Sequence, residues 1–257
     1  MKIYKIFGLV LIMLLVSNCR DINQKDNNDI ELFYFLNKNT NDIEKYPNIE
    51  RYNAIVIDLF DTTKKEIKEL KDMNKKVFCY FSAGSYENWR EDKNKFNTED
   101  LGNELEGWNG ENWIDIRNKN IVNIMKDRIN IAKNKGCYGV DFDNMDGYTN
   151  NTGFDLSYKD QLDYNRELSR YAHSLGLKTI LKNDLLQLND LTNDYDYAVN
   201  ESCHVYNECD LYENWLKNKK YVFNIEYSEK KDLYKNKYFK TYFANTELNG
   251  NFYEKAK

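Results

Sequence analysis

Proline occurs once and histidine twice in this chain of 257 residues. The lone Pro47, among many Asn and Lys, reflects compositional bias and says little about function. The scarcity of histidine says more. His173 lies on a helical pattern and His204 between two cysteines, so a zinc centre is not expected and a metal site would have to be built from oxygen. Glycine numbers eleven, yet no Gly-rich phosphate loop follows the first strand signal, which argues against an open doubly wound nucleotide-binding sheet. Basic charge is also short. Lys and Arg total 37 against 42 Asp and Glu, giving a formal charge of −5 that disfavours nucleic acid as a partner. At 41% hydrophobic and 31% charged residues the composition is globular, and neither an internal repeat nor a second domain is visible.

What is there begins with an export signal. Lys2 and Lys5 precede an apolar run over 6–16, followed by Ser17, Asn18 and Cys19, so residues 1–18 read as a signal peptide. The run is too short for an ordinary membrane-spanning helix. It resembles the lipobox of bacterial lipoproteins, in which the cysteine is lipidated, and it implies membrane anchorage through Cys19, periplasmic or at the cell surface, with secretion as the outcome if Cys19 is not acylated. Removing 1–18 takes away two lysines and no acids, moving the charge from −5 to −7. Residues 19–30, polar and rich in Asn and Asp, read as a flexible tether. Of the four other cysteines, Cys203 and Cys209 are expected to form a disulfide in an oxidising compartment. Cys79 alternates with Val77 and Phe81 in an apolar strand signal and is expected to be a buried free thiol.

From residue 31 to 257, strand signals alternate with helical ones. The strands are expected at 32–36, 54–58, 76–82, 138–143, 178–182, 195–200, 221–226 and 238–244. Helical patterns are clearest at 64–74, 121–135, 159–175 and 209–218, with Gly136 and Gly176 placed as C-terminal stops. Eight such units predict a (β/α)8 TIM barrel in one domain, and the chain ends so soon after the eighth strand that its last helix must be short or replaced by another segment.

The organising stretch is Gly139-Val140-Asp141-Phe142-Asp143-Asn144-Met145-Asp146-Gly147. In a strand, Asp141 and Asp143 share one face while Val140 and Phe142 take the other, so two carboxylates converge where barrel chemistry sits. Polar residues recur at the other strand ends: Asp58 and Asp61; Ser82 and Ser85; Lys182, Asn183 and Asp184; Asn200 and Glu201; Glu226 and Tyr227. In a barrel all are expected to face one mouth. The long connection over 84–117 adds Tyr86, Trp89, Arg90, Trp108, Glu111, Trp113, Asp115 and Arg117, a mixture suited to stacking on sugar rings and bonding their hydroxyls or amines.

In order along the chain, Asp58-Leu59-Phe60-Asp61-Thr62, Cys79-Tyr80-Phe81-Ser82-Ala83-Gly84-Ser85-Tyr86-Glu87, the block from Trp108 to Arg117, Asp143-Asn144-Met145-Asp146-Gly147-Tyr148, Lys182-Asn183-Asp184, Asn200-Glu201-Ser202-Cys203 and Glu226-Tyr227 resemble glycoside hydrolase family 114, the endo-α-1,4-polygalactosaminidase type of TIM barrel. Asp141-Phe142 stands where that family usually has Glu-Pro. The resemblance implies Asp143 and Glu201 as the catalytic carboxylates. It places Tyr80, Asn144 and Asp146 beside the strand-end and loop residues that bind a polysaccharide, with no cofactor. A monomer is expected. Two other readings compete: a divalent-metal hydrolase using Asp141 and Asp143, and a glycan-binding surface lipoprotein without catalysis.

Overall fold

Strand signals that are apolar throughout, such as Ala54-Ile55-Val56-Ile57, suit parallel strands covered on both faces. The computed structural model describes residues 29–36, 43, 46, 48–228 and 233–256, and it realises them that way; the expected signal peptide, Cys19 and nearly all of the tether lie outside the described residues. In chain order the elements are β1 (Leu32–Phe35), β2 (Ala54–Asp58), α1 (Lys64–Asp72), β3 (Lys76–Ser82), β4 (Ser85–Glu87), β5 (Leu101–Glu104), β6 (Glu111–Ile114), α2 (Lys119–Lys135), β7 (Gly139–Asp143), α3 (Tyr158–Ser174), β8 (Lys178–Lys182), α4 (Leu188–Leu191), β9 (Tyr197–Glu201), α5 (Cys203–Tyr206), α6 (Glu213–Lys217), β10 (Val222–Glu226), β11 (Phe239–Ala244) and β12 (Tyr253–Lys255). The order β1-β2-β3-β7-β8-β9-β10-β11 is parallel throughout, which is the eight-stranded TIM barrel. Each barrel strand lies within two residues of its expected span.

Local chemistry explains the helix ends. Thr63 and Glu66 form a capping box on α1, and Ser157 and Asp160 do the same for α3, satisfying amide groups that have no intrahelical partner. Gly136 ends α2 with φ of 90°, a left-handed conformation that costs a glycine little. Among the described residues, no helix is long and apolar enough to cross a membrane.

The eighth helix is absent from the described residues, and β12 takes its place. It pairs antiparallel with β11, and Tyr253 Oη donates to the Leu32 carbonyl of β1 at 3.0 Å while its ring packs 4.8 Å from Phe33. Leu36 N–H donates to Leu248 O at 2.9 Å, and Leu32 N–H to Tyr242 Oη at 3.1 Å. The seam between β11 and β1 is therefore held by side chains and a short strand in place of a parallel ladder. Residues 29–31 enter at the N-terminal rim, where Lys240 pairs with Asp29 and Glu31, and Lys255 also with Glu31.

The connection over 84–117 contains a second, antiparallel sheet ordered β4-β6-β5. Gly84 fixes it to the barrel: a Cβ there would stand 1.6 Å from the Asn144 carbonyl oxygen, so only glycine admits the turn after β7.

One cysteine expectation is overturned. Cys79 is bonded to Cys137, with Cα atoms 6.1 Å apart, and is not a free thiol. It faces away from the barrel interior, and α2 returns the chain so that Cys137 leads into the strand beside β3, a proximity that alternation along β3 alone does not reveal. Cys203 and Cys209 are bonded as expected.

Candidate active site

The ends of β7, β8 and β9 bring three charged side chains together. Lys182, only 3% exposed, sits between the other two: its Nζ is 3.5 Å from Asp143 Oδ1 and 3.3 Å from Glu201 Oε2. Those two contacts limit the separation of the carboxylate oxygens to at most about 6.8 Å, their sum. Each acid also accepts a phenolic hydrogen bond. Tyr80 Oη donates to Asp143 Oδ2 at 2.9 Å, and Tyr227 Oη to Glu201 Oε1. Burial would discharge Lys182, but Asp143, Glu201 and Asp141 outweigh it and hold the ammonium well above the usual lysine range.

Asp141 lies one step deeper on the same strand face. Its Oδ2 accepts from Tyr34 Oη at 2.7 Å, Oδ1 has no partner among the described residues, and burial pushes its carboxyl up to about 7. Positive charge beside the Asp141–Asp143 pair is already supplied by the Lys182 ammonium, so the oxygen-ligand reading of that pair loses its motive. Cys203, His204 and Cys209 offer ligand atoms within 4.8 Å of one another, but the two sulfurs are bonded to each other.

The backbone at these strand ends is unusual. Asn144, Asn183, Asp184 and Ser202 have φ of 59°, 52°, 48° and 64°. Asn and Asp tolerate this region and Ser does so less readily, so the cluster marks turns dictated by where the side chains must point. Asn183 makes that explicit, since its Oδ1 accepts the Glu201 N–H at 3.1 Å and fixes the end of β9.

Around the acids is an open cleft of about 760 Å3. Asp58, Asp61, Tyr80, Trp89, Trp108, Asp143, Asn144, Lys182, Asn183, Glu201 and Tyr227, all singled out from sequence, line it. Trp89 and Trp108 are 48% and 60% exposed on its rim, as stacking platforms require. Asp58 is fully engaged: Oδ1 accepts the N–H groups of Phe60 and Asp61 and one Arg90 nitrogen, and Oδ2 another. Glu111 contributes from β6, hydrogen-bonded by Ser85 and Asn144, and burial pushes it up to about 7.

Several expected residues are elsewhere. Glu226 projects from the opposite face of its strand to Tyr227, as a period of two demands, and accepts from His204 N and Nδ1 and from Asn224 Nδ2 at 2.8–2.9 Å. Asn200 alternates with Glu201 and is buried away from the cleft. Trp113 is buried with its ring under Gly147, and Tyr86 packs on Phe96 at 5.3 Å, so both belong to the core of the small sheet. Ser82 is wholly buried beneath the cleft floor, where Asn144 Nδ2 donates to it at 2.8 Å. Asp146 is absent from the lining; burial pushes it up to about 6, and Asp143 adds to the shift. Asp184 accepts from Tyr148 and Asn165, and burial raises it to about 8.

Sequence reading missed Tyr34, Tyr206 and the segment 246–248, of which the last two line the cleft. The hydroxyl of Tyr34 in an otherwise apolar strand was a usable signal. Residues 246–248 carried none, because they reach the mouth only through the turn that leads into β12.

The family model for glycoside hydrolase family GH114 matches residues 20–255. Among solved structures, Ega3 of Aspergillus fumigatus in complex with galactosamine is 38% identical, with 89% of this chain and 94% of that chain covered at a TM-score of 0.76. The glycoside hydrolase domain of PelA from Pseudomonas aeruginosa, 12% identical with 86% and 96% covered at a TM-score of 0.61, shares the fold. So does Amy13B of Eubacterium rectale, 12% identical with 77% and 57% covered at 0.54. No curated protein matches.

Proposed function

The chain belongs to glycoside hydrolase family GH114, and from that membership we propose that it hydrolyses an α-linked, galactosamine-containing polysaccharide with Asp143 as nucleophile and Glu201 as general acid. The observation that carries the reading is the shared lysine. Inversion needs carboxyl groups roughly 6.5 to 9.5 Å apart to admit a water, whereas retention needs about 5 to 5.5 Å. The limit of about 6.8 Å set by the Lys182 contacts admits retention and removes all but the lower end of the inverting range.

In this mechanism an Asp143 oxygen bonds the anomeric carbon as the glycosidic bond breaks, and Glu201 gives its proton to the departing oxygen. Water then attacks the glycosyl-enzyme, giving its proton to Glu201 and freeing Asp143. Asp61, Glu87, Glu111 and Glu247 make the cleft predominantly acidic, which suits the ammonium of galactosamine, and galactosamine is the sugar bound in the relative Ega3. Trp89 and Trp108 supply the apolar faces for sugar rings. The test is digestion of a panel of amino-sugar and neutral α-glycans with products weighed by mass spectrometry. Glycan binding without cleavage at any pH would sink the proposal.

Export and a lipid anchor on Cys19 are part of the same reading, supported by two disulfides that suit an oxidising compartment. Membrane partitioning of the full chain that persists in Cys19→Ala would rule the anchor out.

A further inference from the structure

Lys182 lines the cleft, yet its side chain is only 3% exposed and its ammonium is spent on carboxylates: Asp143 and Glu201 flank it, Asp141 lies behind, and the ring of Tyr34 is 5.7 Å away. Its contacts with the two acids differ by only 0.2 Å. We propose that Lys182 is a positioning residue that serves as a shared counter-ion, balancing whichever of Asp143 and Glu201 is ionised as turnover moves one negative charge between them. The inference rests on the two-carboxylate reading above.

The charge movement follows from the bonds. Before reaction Asp143 is a carboxylate and Glu201 holds a proton. When Asp143 bonds the anomeric carbon, it becomes a neutral ester; the glycosidic bond breaks and its oxygen takes the Glu201 proton, leaving Glu201 the anion. In the second half, a water oxygen bonds the anomeric carbon, its proton returns to Glu201, and the ester bond breaks to restore the Asp143 carboxylate. One negative charge has crossed the site and come back. A cation nearer one acid would stabilise one half of the cycle at the expense of the other. A cation nearly equidistant from both stabilises both halves alike, and needs no solvent reorganisation because it is already in place. The tyrosines fit the same scheme, with Tyr80 on Asp143 and Tyr227 on Glu201 each donating to one acid only.

Removing the cation takes away the positive charge that faces both acids and leaves Asp141 and Asp146 beside them as like charges when ionised. Lys182→Met is therefore expected to move both limbs of the pH profile of kcat/KM upward by about one unit or more. kcat should fall roughly a hundredfold or more, with KM little changed on an α-linked galactosamine oligomer, and Lys182→Arg should keep the limbs near their wild-type positions. An unshifted profile in folded Lys182→Met, with the loss confined to KM, would make Lys182 a substrate-binding residue and overturn the proposal. If Lys182→Met does not fold, as judged by near-UV circular dichroism, Lys182→Arg decides alone, and a limb shift in that folded variant counts against the counter-ion role. Asp143→Asn, assayed alongside, separates the two ideas. Near-normal hydrolysis by that variant removes the two-carboxylate reading and this inference together; an inactive Asp143→Asn beside an unshifted Lys182→Met removes the lysine's role alone.

Discussion

Asp143 and Glu201 differ from the other mouth carboxylates in what they leave free. Asp58 has its lone pairs taken by two backbone amides and Arg90, and Asp141 is buried behind Lys182. Asp143→Asn and Glu201→Gln are therefore expected to lower kcat on the order of 10³-fold or more with unchanged thermal stability, since they remove charge or proton transfer at constant volume. Asp141→Asn should cost about tenfold or less, because burial already favours its neutral form. The tryptophans should divide by exposure. Trp89→Ala and Trp108→Ala are expected to raise KM several-fold with little change in Tm. Trp113→Ala should lose about 3 kcal/mol or more of stability in a denaturant titration, with KM nearly unchanged. Residue types at the mouth were legible in the sequence, but their facing was less so. Glu226 and Tyr227 cannot both point inward from one strand, and a strict count of alternation would have excluded Glu226.

At the scale of elements, the eight parallel strands were legible because each carries apolar residues on both faces and is bounded by turn residues. β12 was not, since three residues with one inward tyrosine carry no periodicity, and the short strands of the second sheet were hidden in a stretch that read as an aromatic loop. The Cys79–Cys137 bond escaped because it joins two adjacent strands through a helix. It closes 58 residues, so its loss through Cys137→Ala is expected to cost about 4 kcal/mol on the loop-entropy model, against about 2 kcal/mol for the six-residue Cys203–Cys209 loop. Comparing the midpoints of Cys137→Ala and Cys209→Ala in guanidinium tests that ranking. Gly84→Ala should remove activity more than either, since it drives a methyl group into the turn after Asp143; wild-type turnover in this variant would show that the turn can shift freely.

At the scale of the molecule, carboxyls raised by burial, Glu87 and Glu208 among them, shape the pH response of the described residues. Burial raises Asp141 and Glu111 to about 7, Asp146 to about 6 and Asp184 to about 8. The folded state then binds more protons than the unfolded one from about pH 4 upward, so stability falls as pH rises toward 8. Asp29, Asp115, Asp160 and Asp196 are shifted down, and the stability they add is lost only below about pH 4. Tm should accordingly be higher at pH 5 than at pH 8, and Asp184→Asn should narrow the gap by raising Tm at pH 8; a Tm that climbs steadily from pH 5 to 8 would contradict this. The seam adds a consequence of orientation. The chain enters β1 at the rim opposite the catalytic mouth, clasped there by Lys240 and Lys255. An anchor on Cys19 would connect through residues 20–29, whose full extension is about 35 Å, to the underside of the barrel. The cleft would then open away from the lipid surface toward polymer outside, and any pull on the anchor would load the two lysine clasps before it reached the acids above.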